Sequence, residues 1–175
     1  MSQRLPRRVR LLQTGKRLTV AERYYERGLD HFAKNRHELA IADLDEALLS
    51  DPQNAEYLVA RGLMQLQHGW TDEAEDDFTE ALELDPTQWL AHYGRAIRAI
   101  SDQEYAQAVN HFSRAQRIAP QRFEIYFYRA VAFHQMGNSG EATRDMTFAQ
   151  HLLPPEDSRR KLVQQWLPVF QRAPA

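Results

Sequence analysis

Apolar residues recur along this chain at helical spacing, in short stretches that polar turns separate. In residues 22–32, Tyr25, Leu29 and Phe32 fall on one side of a helix, with Gly28 among them. Turn-forming residues occupy 34–36, 68–69, 101–102 and 136–140, and they divide the chain into pairs of such stretches. The pattern therefore predicts an all-α protein built from antiparallel helix pairs.

The pattern returns every 34 residues. Arginine occurs at this interval at positions 27, 61, 95 and 129. Five other series keep the same interval: a small residue before each turn, two small residues after it, a large apolar residue between those two, and a proline that ends each unit. These positions are Gly28, Gly62, Ala96, Ala130; Ala40, Ala74, Ala108, Ala142; Ala47, Ala81, Ala115, Ala149; Leu44, Phe78, Phe112, Met146; and Pro52, Pro86, Pro120, Pro154.

Each of these residue types has a physical reason to recur. Small side chains let two helix backbones approach closely, and the large apolar residue fills the space beside them. Proline cannot continue a helix and disfavours the helical conformation of the residue before it. Because one helix pair cannot bury its apolar side alone, the pairs are expected to stack.

These repeated positions resemble the tetratricopeptide repeat family over residues 21–154. The resemblance implies a right-handed α-solenoid of four helix-turn-helix hairpins, at 21–54, 55–88, 89–122 and 123–154. We expect a capping helix at 155–170, since a terminal repeat must be covered. A basic N-terminal arm at 1–20 and a frayed tail at 171–175 complete the prediction. One departure is the repeated arginine, because the family usually has leucine at that position.

The repeat also predicts the role of the arginines. Antiparallel helices that turn near Asn35 place Arg27 level with Asp43, eight residues on either side of the turn. The same count pairs Arg61 with Asp77 and Arg129 with Asp145, so we expect structural ion pairs inside three hairpins. In the third hairpin Arg95 faces His111. Two interpretations stay open there: Arg95 meets a neighbouring carboxylate or solvent, or it contacts an anionic group of a ligand.

In the family that this chain resembles, the first helices of the hairpins line a concave binding groove. Applying the repeat to the inward positions predicts three rows of partner-binding residues: Tyr25, Val59, Tyr93, Phe127; Leu29, Leu63, Ile97, Val131; and Phe32, Leu66, Ile100, His134. Some family members clamp a peptide's terminal carboxylate with lysine and asparagine in the two main rows. Neither residue occurs in those rows here, which disfavours a carboxylate clamp. The rows favour an amphipathic helix or extended segment with apolar and basic residues.

Charge divides the chain unevenly. The net charge is −2, yet residues 1–20 hold six basic residues and no acid. This arm combines basic residues with Val9, Leu11 and Leu12, so it is itself a candidate occupant of the groove. Attachment to an anionic membrane or to nucleic acid through the arm is an alternative, although six charges without aromatic residues give only a weak, salt-sensitive contact.

Little in the sequence indicates catalysis. The chain has no cysteine, and its seven histidines form no HExxH or similar ligand arrangement. We therefore expect no catalytic residue, no metal and no cofactor. The sequence predicts a non-enzymatic, cytoplasmic protein-interaction module, an adaptor, scaffold or chaperone-like holder, with a homodimer left open. The short tetratricopeptide chaperones of secretion systems are a related alternative.

Overall fold

Every regular element in the described part of the chain is an α-helix. The computed structural model describes residues 18–170, so the predicted arm and tail fall outside it except for the arm's last three residues. Nine helices occur in this range: α1 Val20–Ala33, α2 His37–Ser50, α3 Ala55–His68, α4 Thr71–Leu84, α5 Trp89–Ser101, α6 Tyr105–Ile118, α7 Phe123–Gln135, α8 Ser139–Leu152 and α9 Arg159–Phe170. The predicted all-α helical repeat is confirmed.

The helices belong to two compact units that divide between Pro86 and Thr87. In unit 1, α1 packs against α2, α2 against α3, and α3 against α4. In unit 2, α5 to α8 each pack against the next helix in the chain, and α5 also contacts α7. Each unit thus contains two of the predicted hairpins, and α9 adds a final helix to unit 2.

Local sequence explains where the helices begin and turn. The Thr19 hydroxyl accepts from the Glu22 backbone N–H at 3.1 Å, and the Glu22 carboxylate accepts from the Thr19 N–H, forming a capping box. The four hairpin turns each place one residue in the left-handed region, again 34 residues apart: Asn35, Gly69, Gln103 and Gly137. Asparagine and glycine adopt this conformation readily, whereas Gln103 does so at some cost.

Close helix contact forms the core of every hairpin. The two alanine series and the large apolar series that the repeat predicted are all fully buried. Gly62 shows how tight the contact is, because an added Cβ would lie 2.7 Å from Phe78 Cε1 and 3.2 Å from the Ala74 carbonyl oxygen. Small residues are therefore required where the helices of a hairpin cross.

The three predicted ion pairs are present. Arg27 Nε donates to Asp43 Oδ1 at 2.9 Å, Arg61 Nε to Asp77 Oδ2 at 2.8 Å, and Arg129 Nε to Asp145 Oδ2 at 2.6 Å. In each pair Nη2 donates to the same carboxylate, so the guanidinium binds it with two nitrogens. The hydrogen bonds that Arg61 donates to Asp77 raise the pKa of Arg61, which keeps that guanidinium charged.

Helix α9 is held to unit 2 by polar as well as apolar contacts. The Asp157 side chain accepts from the Arg159 N–H at 2.9 Å and caps the helix. Arg160 Nη1 donates to the backbone oxygens of Gln150 and Leu153, at 3.1 and 2.6 Å. A cation at the C-terminus of α8 thus donates to carbonyl groups at the end of the helix, where a positive charge also interacts favourably with the helix dipole.

We predict that Asp145→Ala lowers the free energy of unfolding by about 3 kcal/mol, because it leaves the charge of Arg129 buried without its carboxylate. Urea denaturation followed by circular dichroism measures the change. Arg144→Ala is the matched control, since Arg144 forms an exposed ion pair with Glu141 and its removal should cost under about 0.5 kcal/mol.

Replacing both residues of the pair tests whether the unpaired charge of Arg129 causes the loss of stability. Arg129→Leu combined with Asp145→Leu should recover most of the lost stability, because no charge is then left buried alone. A double variant that is less stable than Asp145→Ala would show that the pair is not the source of the effect.

Candidate functional site

The first helices of unit 1 present an apolar face that is only half-buried. Tyr25 and Leu29 on α1 and Leu63 and Leu66 on α3 are partly open to solvent. We call these four residues the unit 1 face. Two other predicted residues, Phe32 and Val59, are buried instead, Val59 with 1% exposure.

A second face of this kind lies on unit 2. Ile97 and Ile100 on α5 and Val131 and His134 on α7 are half-buried, and the three aliphatic residues pack against the core of that unit. We call these four residues the unit 2 face. Each side chain therefore offers part of its surface to a partner while the rest fixes its position.

Burial corrects four of the twelve predicted partner-binding residues. Tyr93 and Phe127 are buried like Phe32 and Val59. The Tyr93 ring lies 5.8 Å from Phe112 and 6.0 Å from Tyr128, and the Phe127 ring lies 6.4 Å from Trp166. Neighbouring rings cover these side chains, so all four belong to the core and a partner cannot reach them without rearrangement.

Polar groups at the edge of the unit 1 face are fixed. The Tyr25 hydroxyl donates to Glu56 Oε1 at 2.9 Å, and the Tyr25 ring lies 4.9 Å from Tyr57. Burial and the neighbouring Glu56 carboxylate raise the pKa of Tyr25, so the phenol stays a neutral donor. This hydrogen bond ties α1 to α3 and holds a carboxylate beside the apolar face.

Helix α9 borders the unit 2 face, which the sequence did not indicate. The Phe170 ring lies 4.9 Å from the His134 ring and 5.7 Å from Trp166. His134 is thus part of a contact between α7 and α9 as well as part of the face. The sequence predicted a capping helix here but not its contact with His134, because Phe170 lies beyond the last repeat.

Charge is also divided unevenly between the two units within residues 18–170. Residues 18–86 hold 17 acidic and five basic side chains, whereas residues 87–170 hold seven acidic and ten basic ones. Over these residues unit 1 is therefore strongly acidic and unit 2 is weakly basic. A positive partner is attracted to unit 1 at long range, with a strength that falls as salt is added.

A basic cluster surrounds His92 in the first hairpin of unit 2. The centres of the His92 and His111 rings lie 6.2 Å apart, and the ring planes are inclined by 30°. Burial, with His111, Arg114, Arg95 and Arg117 nearby, lowers the pKa of His92 to about 4. His111 stands where the other hairpins have aspartate, so this hairpin lacks that acid. The suggestion that Arg95 contacts an anionic ligand stays a prediction.

A cluster of aromatic and histidine side chains, which the sequence analysis did not predict, lies at the turns of unit 1. The His37 ring lies 5.5 Å from Phe32 and 6.4 Å from His68, and Trp70 lies 4.6 Å from His68. Trp70 and His68 flank Gly69, which is the signal in the sequence. The cluster closes the turn end of the two hairpins of this unit.

Residues 18–170 contain neither a metal-binding cluster nor a membrane-spanning helix. No group of three or more histidine, aspartate or glutamate residues in this range could hold a metal ion. Nor does any helix in it have the length and apolar character needed to cross a membrane.

Paired helices with repeated small-residue contacts and half-buried apolar faces define a helical-repeat protein of the protein-interaction class. A family model described as tetratricopeptide repeat matches residues 25–88 and 93–143, more than half of the chain. The chain therefore belongs to the tetratricopeptide repeat family, whose members generally serve as interaction scaffolds.

Relatives of known sequence are longer proteins. Tetratricopeptide repeat protein 6 of Homo sapiens is 29% identical over 125 residues, which are 70% of this chain and 24% of that protein. The DnaJ homolog subfamily C member 7 homolog of Dictyostelium discoideum is 29% identical over 149 residues, 76% of this chain and 28% of that protein. The chain thus spans about a quarter of the length of these curated relatives.

Solved structures show the same fold. The thermophilic protein TTC0263 of Thermus thermophilus has a TM-score of 0.74 at 17% identity, covering 86% of this chain and 80% of that one. The first repeat domain of Spaghetti (RPAP3), solved with the HSP90 peptide SRMEEVD, has a TM-score of 0.62 at 20% identity, covering 67% and 93%. At these identities the likeness concerns the fold alone.

The depressed pKa of His92 predicts a specific acid sensitivity. The ordinary histidine pKa is 6.5 and the folded value is about 4, so the unfolded chain takes up a proton first as the pH falls. The stability contributed by neutral His92 is present above pH 6.5 and is lost towards pH 4. His92→Leu should therefore lose about 2 kcal/mol less stability than wild type over this window.

Urea unfolding at a series of pH values measures this difference. His151→Gln is the control, because His151 is exposed and only its Nδ1 bonds to the Thr147 carbonyl. If the His92→Leu and wild-type curves stay parallel from neutral to acidic pH, His92 does not carry the sensitivity.

Proposed function

We propose that this protein binds a peptide segment that is both apolar and basic, using the unit 1 face. The observation that carries the proposal is the half-buried apolar face within residues 18–86, which hold 17 acidic and five basic side chains. Apolar side chains of the segment contact Leu29, Leu63 and Leu66, and its basic side chains meet the surrounding carboxylates, including Glu56.

Membership of the tetratricopeptide repeat family supports a protein or peptide partner. The Spaghetti domain was solved with a peptide that ends in glutamate, valine and aspartate. The unit 1 face has tyrosine and leucine where a carboxylate clamp would have lysine and asparagine. The proposed partner is therefore opposite in charge to that acidic peptide.

An adaptor or chaperone-like holder is the role this binding serves. The unit 1 face is apolar, which allows it to shield apolar side chains of a partner from water. The basic arm remains a competing means of attachment to a membrane or to nucleic acid. Residues 1–17 lie outside the described range, so the argument for the unit 1 face rests on α1 and α3.

A peptide pair tests the proposal. One probe is an amphipathic helical peptide of leucine and lysine, about 18 residues long, and the other is SRMEEVD. We expect the basic probe to bind at least about tenfold more tightly than SRMEEVD, because its charge and its apolar side both match unit 1. Fluorescence anisotropy with labelled peptides at two salt concentrations gives both affinities.

Matched variants locate the binding. Leu63→Gln should weaken the basic probe about tenfold, since a partly buried leucine contact contributes about 1.5 kcal/mol. Leu49→Gln is the control, because Leu49 lies on α2 and is 76% exposed. Equal losses in the two variants, or tighter binding of SRMEEVD, would contradict the proposal.

A further inference from the structure

The repeated arginines do more than pair within their own hairpins. Arg61 gives Nε and Nη2 to Asp77, and its Nη1 donates to Asp45 Oδ1 at 2.7 Å. Asp45 lies on α2, the second helix of the preceding hairpin. One guanidinium therefore joins two hairpins of unit 1.

Arg129 of unit 2 shows the same division. Its Nε and Nη2 bind Asp145, while Nη1 donates to Ser113 Oγ at 3.1 Å and to Gln116 Oε1 at 2.9 Å. Ser113 and Gln116 lie on α6, again the second helix of the hairpin before. In both units the third guanidinium nitrogen, Nη1, thus bonds to the second helix of the preceding hairpin, which packs on the outer side of the arginine.

Arg27 uses the same two nitrogens but not the third. Its Nε and Nη2 bind Asp43, and Nη1 has no hydrogen-bond partner within residues 18–170. The Arg27 side chain is 57% exposed, compared with 23% for Arg61 and 11% for Arg129. The outer side of α1 is therefore the position at which a packed second helix would be found.

The surface around Arg27 forms a shallow hollow. An open depression of about 300 Å³ is lined by Val20, Arg23, Tyr24 and Arg27, which we call the α1 outer face. The Arg27 guanidinium lies 4.8 Å above the centre of the Tyr24 ring. This face is distinct from the unit 1 face, which Tyr25 and Leu29 form on another side of the same helix.

Equivalent positions elsewhere are covered. Tyr57 and Leu58 on α3 correspond to Arg23 and Tyr24, and both are buried, with α2 packed on α3. Arg23 is exposed and Tyr24 half-buried. The α1 outer face also differs in charge, because Arg23 stands where α3 has a tyrosine.

We propose that the α1 outer face binds an amphipathic helix of a partner protein, docked as α2 docks on α3, with two carboxylates one helical turn apart. Arg23 and Arg27 are four residues apart and lie on one side of α1, so two carboxylates with the same spacing meet both. An apolar side of the partner helix covers Tyr24 and Val20. The side of the partner helix that meets Arg23 and Arg27 is acidic, unlike the basic segment proposed for the unit 1 face. Because unit 1 as a whole attracts positive charge, this contact depends on the two arginines at short range.

Charge distinguishes this occupant from the chain's own arm. Residues 1–17 hold six basic residues and no acid, so the arm would bring like charges to Arg23 and Arg27. The charges of the face thus select an acidic helix over this arm.

The chain itself supplies a suitable probe. A labelled peptide with the α2 sequence, residues 37–50, and the substitution Leu49→Asp carries two carboxylates four residues apart, at positions 45 and 49, together with the apolar side that packs on α3. Titrated with the full chain, it should bind by fluorescence anisotropy. Arg23→Glu should weaken this binding at least about tenfold, because it places a carboxylate opposite the acids of the peptide.

Controls separate the face from other parts of the surface. Arg36→Glu changes an exposed basic residue in the first hairpin turn and should leave the affinity within about twofold. A peptide in which the residue corresponding to Asp45 is lysine should bind more weakly than the original. Circular dichroism checks that both protein variants keep their helical content.

Three results would overturn the proposal. The first is equal affinity of the peptide for wild type and Arg23→Glu. The second is no binding at about 1 mM peptide. The third is a dimer of the full chain, seen by sedimentation, that Arg23→Glu dissociates, which would assign the face to a second copy.

Discussion

The close contact between the two helices of each hairpin is the constraint on which the rest of the structure depends. Alanine at two positions in every hairpin is fully buried, and glycine or alanine occupies a third. Helices in such contact leave no room for a ligand between them. Binding surfaces must therefore lie on the outer sides of the helices, and α1 offers two of them.

Arginine–aspartate pairs follow from that contact. Because the helices of a hairpin cross at a fixed level, a residue eight positions before the turn meets one eight positions after it, and Arg27, Arg61 and Arg129 each find an aspartate. The pairs range from exposed in the first hairpin to buried in the fourth. The buried Arg129 thus links the two helices of its hairpin. The exposed Arg27 forms the equivalent pair and, on our proposal, also contacts a partner.

Repetition explains what the sequence could predict. Counting from the turn at Asn35 was enough to pair Arg27 with Asp43, because both lie in one hairpin of regular helices. Counting could not find the bond from Arg61 to Asp45, which depends on how α2 packs on α3. It also misplaced Tyr93 and Phe127, because inward-facing positions in a repeat do not reveal which neighbouring rings cover them. Phe170 beside His134 lies beyond the last repeat, where no repeat position applies.

The central claim is that the first helices of unit 1, rather than its acidic second helices, hold a basic apolar segment. Hydrogen–deuterium exchange of the full chain, with and without the leucine–lysine peptide, tests it most directly. We expect protection concentrated in α1 and α3. Protection concentrated in α4, with α1 and α3 unchanged, would show that charge alone binds the peptide and would contradict binding at the unit 1 face.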